Sequence, residues 1–171
     1  MKRQFPHDPA DIFDALNRGR VKYLVVGGVA AIFHGMPRNT FDVDIAVKLD
    51  VENLRRLERV MKNTGFSAKA PVSVTGLADP ATRRAWLEQK EMKVFSFVEN
   101  RKPFRMVDIM VRPPHDLDGL YRHRMMVRHQ GAPVPVIPLG ALIKMKARAG
   151  RVQDLEDVAY LRFVQQKKVA S

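Results

Sequence analysis

The sequence predicts a mixed α/β fold, a β-sheet flanked by helices and followed by a C-terminal helical pair. Three observations carry this. Short β-branched and aromatic runs alternate with amphipathic stretches along the chain; the run 41–47 (FDVDIAV) alternates acidic and apolar residues at period two; and the C-terminal part reads as two helical patterns separated by Gly150. A length of 171 residues suits one domain able to bury its own core. No repeat, low-complexity tract or linker divides residues 1–171, so we expect one domain, with its core at about 20–112 and its last helices at about 138–167.

Residues 10–18 (ADIFDALNR) place Ile12, Phe13 and Leu16 on one stripe of a short helix that Gly19 stops. Residues 21–26 (VKYLVV) read as a strand running into Gly27-Gly28, and VAAIFHG is helix-compatible up to Gly35. After the strand 41–47, Asp50 caps a helix to about Thr64 whose buried stripe is Leu54, Leu57 and Met61, and Gly65 ends it. Residues 66–78 read as loop or weak strand. Asp79-Pro80, a cap followed by proline at the first helical position, opens a helix to about Gln89. Residues 92–98 and 104–111 form two strands joined by the polar turn ENRKP, a short helix falls near 115–121, and strands at 124–129 and 133–137 flank Gln130-Gly131. Helices at 138–148 and 152–167 close the chain, the second with Leu155, Val158, Ala159 and Phe163 as its expected core stripe.

Composition narrows the function. Without cysteine, disulfides, thiolate metal sites and cysteine nucleophiles are excluded. No apolar run reaches the roughly 20 residues needed to cross a bilayer, and the N-terminus MKRQFPHDPADIF has charge with no apolar segment behind it, so the expected protein is cytoplasmic, without a signal peptide or a membrane partner. Thirty Lys and Arg against 18 Asp and Glu leave a charge of +12, which points to a polyanionic partner, nucleic acid or a phosphate-rich ligand.

Asp42 and Asp44, two apart on a strand, emerge on one face about 7 Å from each other, while Val43 and Ile45 anchor the other. Two carboxylates crowded there repel unless a cation sits between them. Magnesium prefers such hard oxygen ligands together with waters and substrate phosphates. Asp108, between Val107 and Ile109, is a third carboxylate in an apolar strand; if that strand neighbours 41–47, all three converge. Upstream, Gly27-Gly28 sits at a strand-to-helix junction, where glycine lets the backbone approach a phosphate.

In order and spacing, VVGGVA, FDVDIAV and VDIM together resemble the polymerase β-like nucleotidyltransferase superfamily. GGVAAIFHGMPRNTFDVDI and LIKMKARAGRVQDLEDVAYL further resemble minimal bacterial nucleotidyltransferases related to abortive-infection (AbiEii-type) toxins, over about residues 20–162. The resemblance implies the nucleotidyltransferase fold, two Mg2+ ions held by Asp42, Asp44 and Asp108 as the catalytic acids, and a nucleoside triphosphate as substrate. It also implies a triphosphate cradle at Gly27 and Gly28; Arg38 and Thr40, just before the metal strand, read equally as further phosphate contacts or as ordinary surface residues.

Lys146 falls one turn beyond the inward stripe Leu139, Leu142 and Ile143; a lysine there either snorkels to solvent or reaches a triphosphate, and the resemblance favours the phosphate. Asp154, in the first turn of the last helix, suits the helix dipole and pairs with Arg151, and the resemblance implies that it and Asp157 support the nucleotide site. His34 and Trp86 read as structural, Lys144 and the Gln165–Lys168 end as solvated. The acceptor is open: RNA, transfer RNA included, a protein or a small molecule, with an antitoxin protein as a further partner. The competing reading is a catalytically silent nucleotide- or nucleic-acid-binding module; a DNA-binding role has no helix-turn-helix signature behind it.

Overall fold

The computed structural model describes residue 5 and residues 7–169. The start of the N-terminal stretch read above, including Lys2 and Arg3, and the side chain of Lys168 lie outside them. Seven strands form one mixed sheet in the order β3-β4-β5-β2-β1-β7-β6. In chain order the elements are α1 (Ala10–Arg18), β1 (Tyr23–Val25), α2 (Gly27–Phe33), β2 (Val43–Val47), α3 (Val51–Asn63), β3 (Phe66–Ala68), a 3-10 turn (Val74–Ala78) and α4 (Pro80–Gln89). They continue with β4 (Val94–Glu99), β5 (Met106–Met110), α5 (Leu117–Arg122), β6 (Met125–His129), β7 (Ala132–Val136), α6 (Leu139–Ala149) and α7 (Val152–Val169).

Local chemistry places most of these ends. The Asp50 carboxylate accepts from the Asn53 N–H at 2.8 Å and starts α3, whose Leu54, Leu57 and Met61 are fully buried. Asp79 accepts from the Thr82 N–H at 2.8 Å with Pro80 as the first residue of α4. Gly150, at φ +66°, ends α6 in the left-handed conformation that glycine adopts without strain. Trp86 packs on Phe95 with ring centroids 5.9 Å apart, the structural role expected of it.

Two features depart from the expectations. Residues 66–68 form a true edge strand, β3, paired antiparallel with β4; alone, FSA is too short to announce itself. Of the stripe expected on α7, Val158 alone is buried. Asp154, Asp157, Val158 and Leu161 point inward, whereas Leu155 is 53% and Phe163 51% exposed and Ala159 is exposed too. The two acids turn inward because cations wait for them there.

Two parallel pairings shape the centre: β2 with β5, and β1 with β7. They bring together segments far apart in sequence, and the apolar sides of the inner strands (Val43, Ile45, Val107, Ile109) enter the core. Among the described residues no helix is long and apolar enough to cross a membrane.

Candidate active site

The parallel register of β2 and β5 sets Val43 opposite Val107, Asp44 opposite Asp108 and Ile45 opposite Ile109. The adjacency on which the three-acid reading depends is therefore present, and two of the acids stand side by side. Asp42 lies just before β2 rather than within it and is half-buried, as are Asp44 and Asp108. On the other flank of β5, Ser96 of β4 faces Asp108 in antiparallel register.

The carboxyl groups disturb one another. Burial pushes the Asp44 carboxyl up from 3.8 to about 6, and the charges of Asp108 and Asp42 add to the rise. The Gly28 backbone N–H and the charge of Lys146 oppose it. Asp42 is raised in the same way, by burial and then by Asp108. Among the described residues, Asp108 Oδ1 is buried with no hydrogen-bond partner.

The glycine pair is packed around this acid. Gly27 has φ +62°, and a Cβ there would stand 2.2 Å from Asp44 Oδ2. A Cβ on Gly28 would stand 2.8 Å from Thr40 Oγ1. Next door, the Val26 N–H donates to the Asp44 carbonyl at 2.9 Å, which fixes the glycine turn against β2. Gly27 thus lies against Asp44 and Gly28 against Thr40.

The expected nucleotide-binding residues on the C-terminal helices form a second cluster. Lys146, 6% exposed, is ion-paired to Asp157 at 2.6 Å and to Asp154 at 3.4 Å. Arg38 Nη1 meets the same Asp157 Oδ2 at 2.5 Å, and Arg151 Nε meets Asp154 at 2.6 Å. Burial raises the Asp154 carboxyl, but Arg151 and Lys146 outweigh it and leave it lowered. Lys146 therefore neither snorkels out nor projects free; it is the centre of a network that joins Arg38, before β2, to α6 and α7. Asp157, which the sequence reading left in a supporting role, is its hub. The signal was its i, i+3 spacing from Asp154 on the helix face opposite the apolar stripe. His34 is buried, with Nε2 2.8 Å from the Ile137 carbonyl oxygen, and Lys144 is exposed, both as expected.

Among the described residues no three His, Asp or Glu side chains are gathered into a ready-made metal cluster. The donors nonetheless fit magnesium. That ion is commonly held by one or two carboxylates, with water and substrate phosphates completing its shell. Here two neighbouring carboxylates repel each other, and one keeps a buried oxygen without a partner.

The sequence matches no protein-family model and no curated protein. Solved structures do share its architecture. A candidate nucleotidyltransferase from Thermotoga maritima is 21% identical, with a TM-score of 0.54 over 87% of this chain and 86% of that one. A nucleotidyltransferase-like antigenic protein from Paracoccidioides brasiliensis is 17% identical, with a TM-score of 0.55 over 89% of this chain and 72% of that one. The lincosamide antibiotic adenylyltransferase LnuA, solved with lincomycin bound, is 13% identical, with a TM-score of 0.59 over 90% of this chain and 93% of that one. The chain has the nucleotidyltransferase fold; at these identities the likeness is one of fold.

Proposed function

We propose that this chain is a magnesium-dependent nucleotidyltransferase, moving a nucleoside monophosphate from a nucleoside triphosphate to an acceptor hydroxyl. The observation that carries the reading is the in-register neighbourhood of Asp44 and Asp108 on parallel strands, with Asp42 close enough to raise the Asp44 carboxyl. Asp42, Asp44 and Asp108 would hold the metal. When bound, magnesium neutralises phosphate charge and orients the attacking and leaving oxygens.

The chain's own residues do the rest. Asp44, whose anionic form is disfavoured by burial and by Asp108 and Asp42, gains most from an arriving cation. Gly27 and Gly28, bare of side chains, leave the backbone open beside that carboxylate for the triphosphate, and Thr40 borders it. Arg38 and Lys146 act as positioning residues, because Asp157 ties both to α7, while the Lys146 charge lowers the proton affinity of Asp44. Asp154 completes that wall. No side-chain nucleophile is needed, since positioning and charge neutralisation supply most of phosphoryl transfer.

For the acceptor, the charge of +12 supports RNA, while the fold's occurrence in an antibiotic adenylyltransferase supports a small hydroxylated molecule. ATP is the first nucleotide to test, and the cytoplasm the compartment to look in. A toxin role with an antitoxin partner rests on the sequence resemblance alone. The silent-module reading has one observation in its favour, the absence of a ready-made three-ligand cluster among the described residues.

The test mixes purified protein, magnesium and each labelled nucleoside triphosphate with total RNA or acceptor candidates. We expect label transfer that Asp42→Ala and Asp44→Ala abolish. Magnesium-dependent nucleotide binding without transfer would favour the silent module, and neither binding nor transfer would contradict both.

A further inference from the structure

We infer that a basic trough beyond the ends of β2 and β5, separate from the three acids, binds the phosphodiester backbone of a nucleic acid. A cavity of about 490 Å3 opens where these strands end, bordered by α4 and α5. A second, of about 610 Å3, lies between α5 and α6. Pro114 and Asp116 line both, so the two lie side by side. Asp42, Asp44 and Asp108 line neither.

Its walls carry Lys48, Arg83, Arg84 and Arg112 in the first part and Lys144 and Arg148 in the second. Two carboxylates face the same space, and both are already engaged. Asp116 accepts from the Gly119 N–H at 2.9 Å as the cap of α5, and Asp118 pairs with Lys22 at 2.9 Å. Of the cations, Lys48 stands 4.0 Å from Asp50, and Arg83 donates to the Leu77 carbonyl. Arg84, Arg112, Lys144 and Arg148 form no ion pair among the described residues. Unneutralised cations spread along a concavity match a chain of phosphates. A bilayer surface, flat on this scale, would not enter such a depression. Leu120, Met145 and Pro138 between the charges give apolar surface for sugars and bases.

Register relates the trough to the acids. Lys48 and Arg112 follow the ends of β2 and β5, four residues after the in-register pair Asp44 and Asp108. A polymer bound there would have to extend past the strand ends to bring a hydroxyl to the carboxylates, which line neither cavity. That last step, which makes the bound nucleic acid the acceptor, rests on the proposed transferase reading; binding itself does not.

The experiment measures anisotropy of a short labelled single-stranded RNA, and of DNA of the same sequence, against salt. Arg84→Ala/Arg112→Ala and Lys144→Ala/Arg148→Ala should each weaken binding about tenfold and lower the salt slope by about 1.4, near 0.7 for each lost phosphate contact. Lys62→Ala/Lys69→Ala, an equal charge loss at exposed positions outside the trough, should leave both nearly unchanged. RNA preferred over DNA would identify ribose recognition, and equal binding would show a backbone site for either. Circular dichroism confirms that each variant is folded. No nucleic-acid binding by the wild type, equal loss in the Lys62/Lys69 control, or equal competition by polyglutamate overturns the inference. Label transfer to small acceptors by the trough variants separates this outcome from failure of the acid site.

Discussion

Two ionic clusters lie next to each other in this fold and are built on opposite plans. Around α6 and α7, Lys146 sits between Asp154 and Asp157, with Arg38 and Arg151 closing the ends. On β2 and β5, carboxylates meet carboxylates, the Asp44 carboxyl is driven up to about 6, and Asp108 keeps a buried oxygen without a partner among the described residues. The paired cluster has its charges matched, with a buried Arg38 Nε still without a hydrogen-bond partner among the described residues, and serves as a wall. A cluster of like charges is unfavourable as it stands, and the proposed cation site rests on that.

The comparison is broken most severely by removing the centre of the paired cluster. Lys146→Met leaves Asp154 and Asp157 with only Arg151 and Arg38 as partners and should cost about 2–3 kcal/mol of stability in denaturant unfolding. A loss below about 1 kcal/mol would mean that the network is solvated rather than structural. The next effect is at the glycine turn. Gly27→Ala meets both a strained φ of +62° and the Asp44 carboxylate, whereas Gly35→Ala, at φ +99° with nothing within 4 Å, meets strain alone. Each should cost about 1–2 kcal/mol for the left-handed backbone, but only Gly27→Ala should also abolish nucleotidyl transfer.

The smallest effect tests which face of α7 is inside. Leu155→Ala and Phe163→Ala should each change stability by about 0.5 kcal/mol or less. Leu161→Ala, from the buried face, should cost about 2–5 kcal/mol.

Those residues also show where reading the sequence stops. Local signals were sufficient for the Asp50 and Asp79 caps, the Gly150 stop and the hairpin of β4 and β5, because a few neighbouring residues determine each. The acid-x-acid strand and its glycine turn were legible for the same reason. The alignment of Asp44 with Asp108 was not, because parallel strands pair at a distance and no neighbour announces the register. The face of α7 was misjudged because Leu155 and Phe163 form a good apolar stripe, and apolar periodicity takes no account of Arg38 and Lys146 drawing Asp154 and Asp157 inward. The same oversight let Lys146 read as a free lysine at the end of a stripe.

The central claim is that the Asp42, Asp44 and Asp108 cluster is made for a cation, and thermal unfolding at neutral pH against magnesium tests it most directly. A carboxyl raised from 3.8 to about 6 binds more protons folded than unfolded, so its contribution is fullest at low pH and is lost as pH rises through about 6. For Asp44 the loss reaches about 3 kcal/mol near neutrality without metal. We predict that magnesium raises the wild-type Tm by several degrees, and that metal-free Asp44→Asn is at least as stable as wild type and insensitive to the ion. A wild-type Tm indifferent to magnesium, together with a destabilised Asp44→Asn, would contradict the account.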